Sequence, residues 1–145
     1  MVNASLFKLL QQAAKTADPN GEKISISVPP DNIPIFPIQV QSIRRALINL
    51  FTNAIRYAGK ANVQIQIFDD HSEVIIDDNG PGIPRDKRDE VVLPFTRLDN
   101  SRNNETGGTG LGLSIAKNSV LNHGGELILE DSPLGGLRVR LLLPL

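Results

Sequence analysis

The sequence predicts an α/β layered domain, a two-layer sandwich with a mixed sheet of about five strands and about three helices on one face. Three observations carry this. Apolar residues recur at the helical period in three stretches, 6–17, 39–58 and 111–121. They alternate with polar residues at period two in 23–28 and 62–68, and 73–77, 126–130 and 137–143 read as further strands. The two kinds of pattern are interleaved along 145 residues with no internal repeat and no linker, so the chain reads as a single domain, 1–145.

Taken in order, Ser5 is placed to cap a helix from Leu6 to Ala17 whose face is Leu6, Leu9, Leu10 and Ala13, and Asp18-Pro19-Asn20-Gly21 ends it. Lys23 to Val28 follows as a strand stopped by Pro29-Pro30, and Ile33 to Ile38, with two prolines, reads as a short edge strand or extended entry segment. A long helix then runs from Gln39 to Ala58, with Gly59 as its stop. Val40, Ile43, Leu47, Leu50 and Ala54 form its apolar stripe. Ser42, Arg45, Asn49, Thr52 and Arg56 fall opposite, and Asn53 sits at the border beside Ala46 and Tyr57. Strands 62–68 and 73–77 are expected to pair across the polar turn Asp69 to Ser72. Pro84 to Val92 reads as a short helix, and Thr96 to Gly108, with hardly an apolar anchor, as a mobile loop. A helix from Leu111 to Leu121 and two last strands around a Pro133 to Gly136 turn complete the chain.

Fifteen basic and 16 acidic residues leave a net charge of -1, so no global field favours nucleic acid or an anionic membrane. The absence of cysteine excludes disulfides and thiolate metal sites and fits a reducing compartment. No apolar run approaches the roughly 20 residues of a membrane span, and Lys8 interrupts any signal-like start. A cytoplasmic domain without membrane contact is expected.

Four stretches carry chemistry. Asn is a mediocre helix former, so Asn49 and Asn53 in consecutive turns ask for a reason; either they decorate a buried helix, or their amide oxygens meet a hydrated magnesium ion or phosphate waters. Asp78-Asn79-Gly80-Pro81-Gly82 follows a strand directly. It is good turn chemistry, and it also offers a carboxylate to an exocyclic amino group beside glycines that let the backbone approach a flat ring, which suits adenine. Gly107 to Leu113 opens a helix and is either a flexible loop or an anion site of backbone N–H groups at the positive end of the helix dipole. It is neither a dinucleotide fingerprint, which needs a glycine where Leu113 stands, nor a P-loop, which needs a lysine after the last glycine. Pro94 to Leu98 supplies Phe95 as a hydrophobic peg, and Arg97 and Arg102 are either surface charges or reach phosphate oxygens. His71 and His123 sit in turns without metal-ligand spacing and read as structural.

In this order and spacing, the boxes resemble the catalytic and ATP-binding domain of bacterial sensor histidine kinases, nearest to the osmosensor type. The N box is Asn49 to Tyr57, the first glycine box Asp78 to Ile83, the F box Pro94 to Leu98 and the second glycine box Gly108 to Leu113. The resemblance implies the Bergerat ATP-binding fold with ATP and Mg2+ as cofactors. It implies Asn53 as the magnesium ligand, Asn49 on the phosphates with Arg56 nearby, Tyr57 against the base, and Asp78 on the adenine amino group beside Gly80, Gly82 and Ile83. Arg97, Leu98, Gly108, Thr109, Gly110, Leu111, Gly112 and Leu113 would line the nucleotide, with 96–108 as its lid and Arg97 or Arg102 assisting transfer.

Such kinases phosphorylate a histidine on a helical dimerisation domain, which passes the phosphate to a response regulator. Neither His71-Ser72-Glu73 nor His123-Gly124-Gly125 has the acidic residue and later proline of that phosphoacceptor. The implied partner is therefore a separate dimerisation domain of a parent anchored in the plasma membrane, with this stretch beginning just after the dimerisation helices. Two alternatives share the fold. ATP hydrolases of the gyrase, mismatch-repair and heat-shock chaperone class carry a glutamate general base where Asn49 stands, and an amide cannot take a proton from water at neutral pH. A nucleotide-binding module without transfer activity is the other.

Overall fold

The computed structural model describes residues 2–27, 35–83, 86 and 112–145, apart from the side chain of Tyr57. The short helix expected at Pro84 to Val92 and the loop expected at Thr96 to Gly108 lie outside the described residues.

The elements run β1 (Val2–Ser5), α1 (Leu6–Ala17), β2 (Ile24–Ile26), β3 (Ile35–Ile38), α2 (Val40–Ala58), β4 (Ala61–Ile67), β5 (His71–Asp78), α3 (Gly112–Asn122), β6 (Glu126–Asp131) and β7 (Leu137–Pro144). The Ser5 hydroxyl accepts a hydrogen bond from the Lys8 N–H at 3.3 Å, which satisfies one of the orphan donors of the first turn of α1. At its other end Asp18 Oδ2 accepts the N–H groups of Lys23 and Ile24, both at 2.9 Å, tying the exit of α1 to the start of β2. Those backbone hydrogen bonds, the Lys23 one foremost, hold the Asp18 carboxyl below the usual carboxylate range. Helix α2 ends as its sequence predicts, with Gly59 at φ 87° in the left-handed region and its N–H on the Ile55 carbonyl.

Five strands form a mixed sheet in the order β2-β4-β5-β7-β6, parallel only between β2 and β4. The sixth strand predicted from sequence, β3, does not join it. It pairs antiparallel with β1, a strand the sequence does not announce, with Asn3 opposite Pro37. A proline is tolerated there because each strand of a two-stranded ladder has an open edge.

One face of the sheet carries the helices. Val63 and Ile65 of β4, Val74 and Ile76 of β5 and Val139, Leu141 and Leu143 of β7 meet Ile43, Leu47, Leu50, Phe51 and Ala54 of α2 and Ala116 and Val120 of α3, while α1 adds Leu6, Leu9 and Leu10. Helix α2 lies between α1 and α3 and packs on both. The opposite face of the central strands is closed by ion pairs. Buried Asp77 takes a bidentate fork from Arg138, at 2.7 and 2.9 Å, and buried Glu73 takes Arg140 at 2.7 Å.

His123 fastens the base of this arrangement. It is buried, and its Nε2 accepts the N–H of Gln39, the residue before α2, at 3.2 Å. The ring proton therefore sits on Nδ1, which is buried and has no hydrogen-bond partner among the described residues. Burial pushes the His123 imidazole below its usual range, and protonation would also take the acceptor away from Gln39. His71 behaves oppositely: the hydrogen bond from its Nδ1 to Asp70, at 2.6 Å, raises it. Because the folded His123 value is depressed, its stabilising contribution is full above the unfolded value and is lost as pH falls toward the folded one. The His71 contribution is full below the unfolded value and is lost as pH rises through the folded one. Proton NMR of the two rings should show His123 titrating below and His71 above the free-histidine value, and the reverse order would overturn both assignments.

Candidate nucleotide site at one end of the sheet

The register decides which end of the sheet each motif occupies. The β4–β5 ladder sets Ala61 opposite Asp78, and Ala61 lies two residues after Gly59, so the C-terminal half of α2 and the C-terminal end of β5 share one end. Helix α3 ends at Asn122 and hands over to β6, whose first residue Glu126 pairs with Leu142, itself opposite Glu73. Its last turn, like His123 and the start of α2, is thus at the far end. Helix α3 therefore runs antiparallel to α2, and Gly112 brings its N-terminus back to the end that holds Asp78. Three motifs that are more than 20 residues apart in sequence converge in this way.

On α2, Asn49 and Asn53 are both half-buried, one turn apart. The sequence pattern sets Asn49 on the side away from the core, yet its amide nitrogen is fully buried and has no hydrogen-bond acceptor among the described residues. Ala46 is fully buried, which widens the inward face of α2 beyond the predicted stripe on the side of Asn49 and Asn53. Arg56, in the last turn, is exposed.

At the end of β5, Asp78 is buried. Its Oδ1 accepts the N–H of Gly80, the local turn expected from Asp-Asn-Gly, at 3.0 Å. The same oxygen accepts the N–H of Leu137, 59 residues away at the start of β7, also at 3.0 Å. Oδ2 has no hydrogen-bond partner among the described residues. Among the described residues the carboxylate is thus anchored through one oxygen. Gly82 has φ 72°, a conformation that favours glycine, and Ile83 is buried against the core.

Helix α3 begins at Gly112, and no acidic side chain of its own first turn offsets the positive end of its dipole. Leu113 packs against the core and Ser114 is buried. Arg97, Leu98, Arg102, Gly108, Thr109, Gly110 and Leu111 lie outside the described residues, as does the side chain of Tyr57. No cluster of metal-ligating carboxylates or histidines occurs among the described residues. The Leu137 amide is the participant that sequence reasoning missed. Its signal is the Gly135-Gly136 pair before an alternating strand, which reads only as a turn until the strand order is known.

Residues 38–145 match the family described as histidine kinase-, DNA gyrase B-, and HSP90-like ATPase. The chain is 37% identical over 139 residues to the sensor histidine kinase CpxA of Escherichia coli K12, an alignment covering 95% of this chain and 30% of CpxA. It is 32% identical over 142 residues to the sensor-type histidine kinase PrrB of Mycobacterium leprae, covering 97% of this chain and 31% of PrrB. Among solved structures it superposes on the histidine kinase domain of the E. coli osmosensor EnvZ with a TM-score of 0.75 and 34% identity, over 100% of this chain and 89% of that one. The chain thus spans about 30% of the length of the curated relatives it matches.

Proposed function

Because the chain belongs to the histidine kinase-, DNA gyrase B- and HSP90-like ATPase family, we propose that it binds Mg-ATP and donates the γ-phosphate to a histidine on the dimerisation domain of a two-component sensor kinase. Its two-layer sandwich is the Bergerat fold, and its similarity to CpxA, PrrB and EnvZ extends over nearly the whole chain. The dimerisation domain, a response regulator beyond it and a membrane-anchored parent with this domain on the cytoplasmic side are part of the same proposal. No described helix is long and apolar enough to cross a membrane.

The observation that carries the reading is the buried amide nitrogen of Asn49, which has no acceptor among the described residues. Leaving such a donor without an acceptor costs about 1–3 kcal/mol, and a phosphate oxygen at this end of the sheet would supply the acceptor. Asn53, one turn on, would offer its amide oxygen to magnesium. Bound there, magnesium neutralises charge on the outer phosphates. Asp78 Oδ2 would accept the adenine amino group, and the first N–H groups of α3, with Thr109 to Leu113 before and at its start, would receive the phosphates. Arg97 or Arg102 would meet the γ-phosphate, and Tyr57 and Leu98 the base. Asn49 disfavours the hydrolase reading, because its amide has no basic lone pair with which to activate water.

Incubation with labelled ATP, magnesium and a supplied dimerisation domain should label that domain with acid-labile phosphate and leave the isolated chain unlabelled. Asn53→Ala should abolish labelling and remove the magnesium dependence of ATP affinity in calorimetry. Phosphate on His71 or His123, or vigorous hydrolysis without a partner, would overturn the assignment of the nucleophile.

A further inference from the structure

The turn between β6 and β7 lies against Asp78, the carboxylate proposed for base recognition. Ser132 locks this turn: its N–H donates to the Gly136 carbonyl at 2.8 Å, its carbonyl accepts the Gly135 N–H at 3.0 Å and its hydroxyl accepts the Leu134 N–H at 3.1 Å. Gly136 then lies against the first glycine box. A Cβ added at Gly136 would stand 2.1 Å from Asp78 Oδ1, 2.6 Å from the Asp78 carbonyl oxygen and 2.6 Å from the Gly80 nitrogen. Two of those three atoms are backbone and cannot rotate away. The contact is glycine on glycine, since a Cβ at Gly82 would in turn stand 3.4 Å from the Gly136 carbonyl oxygen.

We propose that Gly136 and the Leu137 amide are positioning residues for base selection, holding Asp78 so that a single carboxylate oxygen faces the nucleobase and a purine with an amino donor at C6 is preferred over one with a carbonyl there. The inference rests on the ATP-binding reading and adds residues of the last hairpin to it. Oδ1 already receives two N–H groups, one from each side, so its in-plane lone pairs are used. A carboxylate held in this way has no rotation by which to avoid a carbonyl set opposite Oδ2. Guanine presents such a carbonyl where adenine presents a donor. Discrimination therefore comes from repulsion of the wrong base as well as attraction of the right one, and it depends on the anchor staying rigid.

A second glycine supplies a matched control. A Cβ at Gly125, before β6 and at the far end of the sheet, would stand 1.9 Å from the Leu142 carbonyl oxygen, a clash as severe but remote from Asp78. Both Gly136→Ala and Gly125→Ala should destabilise the chain. Only Gly136→Ala should weaken ATP by about tenfold or more while changing GTP less, so that the ATP-to-GTP affinity ratio collapses. The unmutated chain gives a readout independent of folding. In a nitrogen-15 NMR titration, ATP should shift the Leu137 and Gly80 amide resonances, because a donor arriving at Oδ2 draws charge from Oδ1. A triphosphate of unsubstituted purine, which lacks the amino group, should bind through its phosphates and leave those two amides nearly still.

Equal shifts with both nucleotides, or a Gly136→Ala chain with the unmutated ATP-to-GTP ratio, would overturn the proposal while leaving ATP binding intact. If Gly136→Ala does not fold, the titration alone decides. A chain that binds neither nucleotide would take down the ATP reading and this inference together.

Discussion

Asp78→Asn should leave the domain folded and cost it about 1.5–3 kcal/mol of ATP affinity, roughly ten- to a hundredfold. The expectation follows from the division of labour within one carboxylate. The two N–H groups that hold Asp78, from Gly80 and Leu137, both go to Oδ1, and an asparagine carbonyl oxygen accepts them equally well in number. What changes is the other atom. Where Oδ2 would accept the adenine amino group, the variant presents an NH2, and two donors face each other. The ATP-over-GTP preference should narrow or reverse, because that NH2 meets the guanine carbonyl favourably. Asp78→Ala should differ in kind. It strands the Leu137 N–H, a buried donor, and should lower stability by about 1–3 kcal/mol in addition to the binding loss. Calorimetry with both nucleotides and thermal unfolding of both variants separate the two effects, and unmutated ATP affinity in the Asp78→Asn variant would remove Asp78 from base recognition.

Phe51→Ala should give the larger loss of stability, about 3–5 kcal/mol of the roughly 5–15 kcal/mol typical of a domain. Phe51 has no exposed surface and is among the largest fully buried side chains. It lies on α2 between Asn49 and Asn53, and α2 packs on α1 and α3 as well as on the sheet, so a cavity there disturbs packing on several sides and has little room to collapse. Urea unfolding should show a lower midpoint at unchanged slope. Arg45→Ala, exposed on the same helix, should change stability by less than about 0.5 kcal/mol. A Phe51→Ala loss under about 1 kcal/mol would mean that α2 is not the centre of the core.

The reach of the bare sequence follows the range of the forces involved. Helices α1, α2 and α3 and the strands of the main sheet are written in local periodicity, and the Ser5 cap and Gly59 stop in local backbone chemistry, so all are legible within a few residues of themselves. Asn49, Asn53, Asp78, Gly80 and Gly82 are legible for the same reason: each is unusual for the element it interrupts or ends. The expectation for Asn49 fails in its burial, because the inward face of α2 is wider than the apolar stripe and takes in Ala46 beside it.

Partners distant in sequence are decided elsewhere. No pattern in Val2 to Ser5 announces a strand, and that segment becomes one only because β3 lies beside it. Glu73 and Asp77 are charged residues at the two ends of a predicted strand, yet β5 is central and both carboxylates are buried, made tolerable by Arg140 and Arg138 on a neighbour whose identity depends on strand order. The anchor of Asp78 by Leu137 and the glycine contact at Gly136 have the same origin. Sequence by itself determined the described helices and the strands of the main sheet and singled out candidate site residues, since those depend on short-range sterics and periodicity. Only the tertiary structure decided which of them meet, because the order β2-β4-β5-β7-β6 places side by side strands whose contacts no local preference encodes.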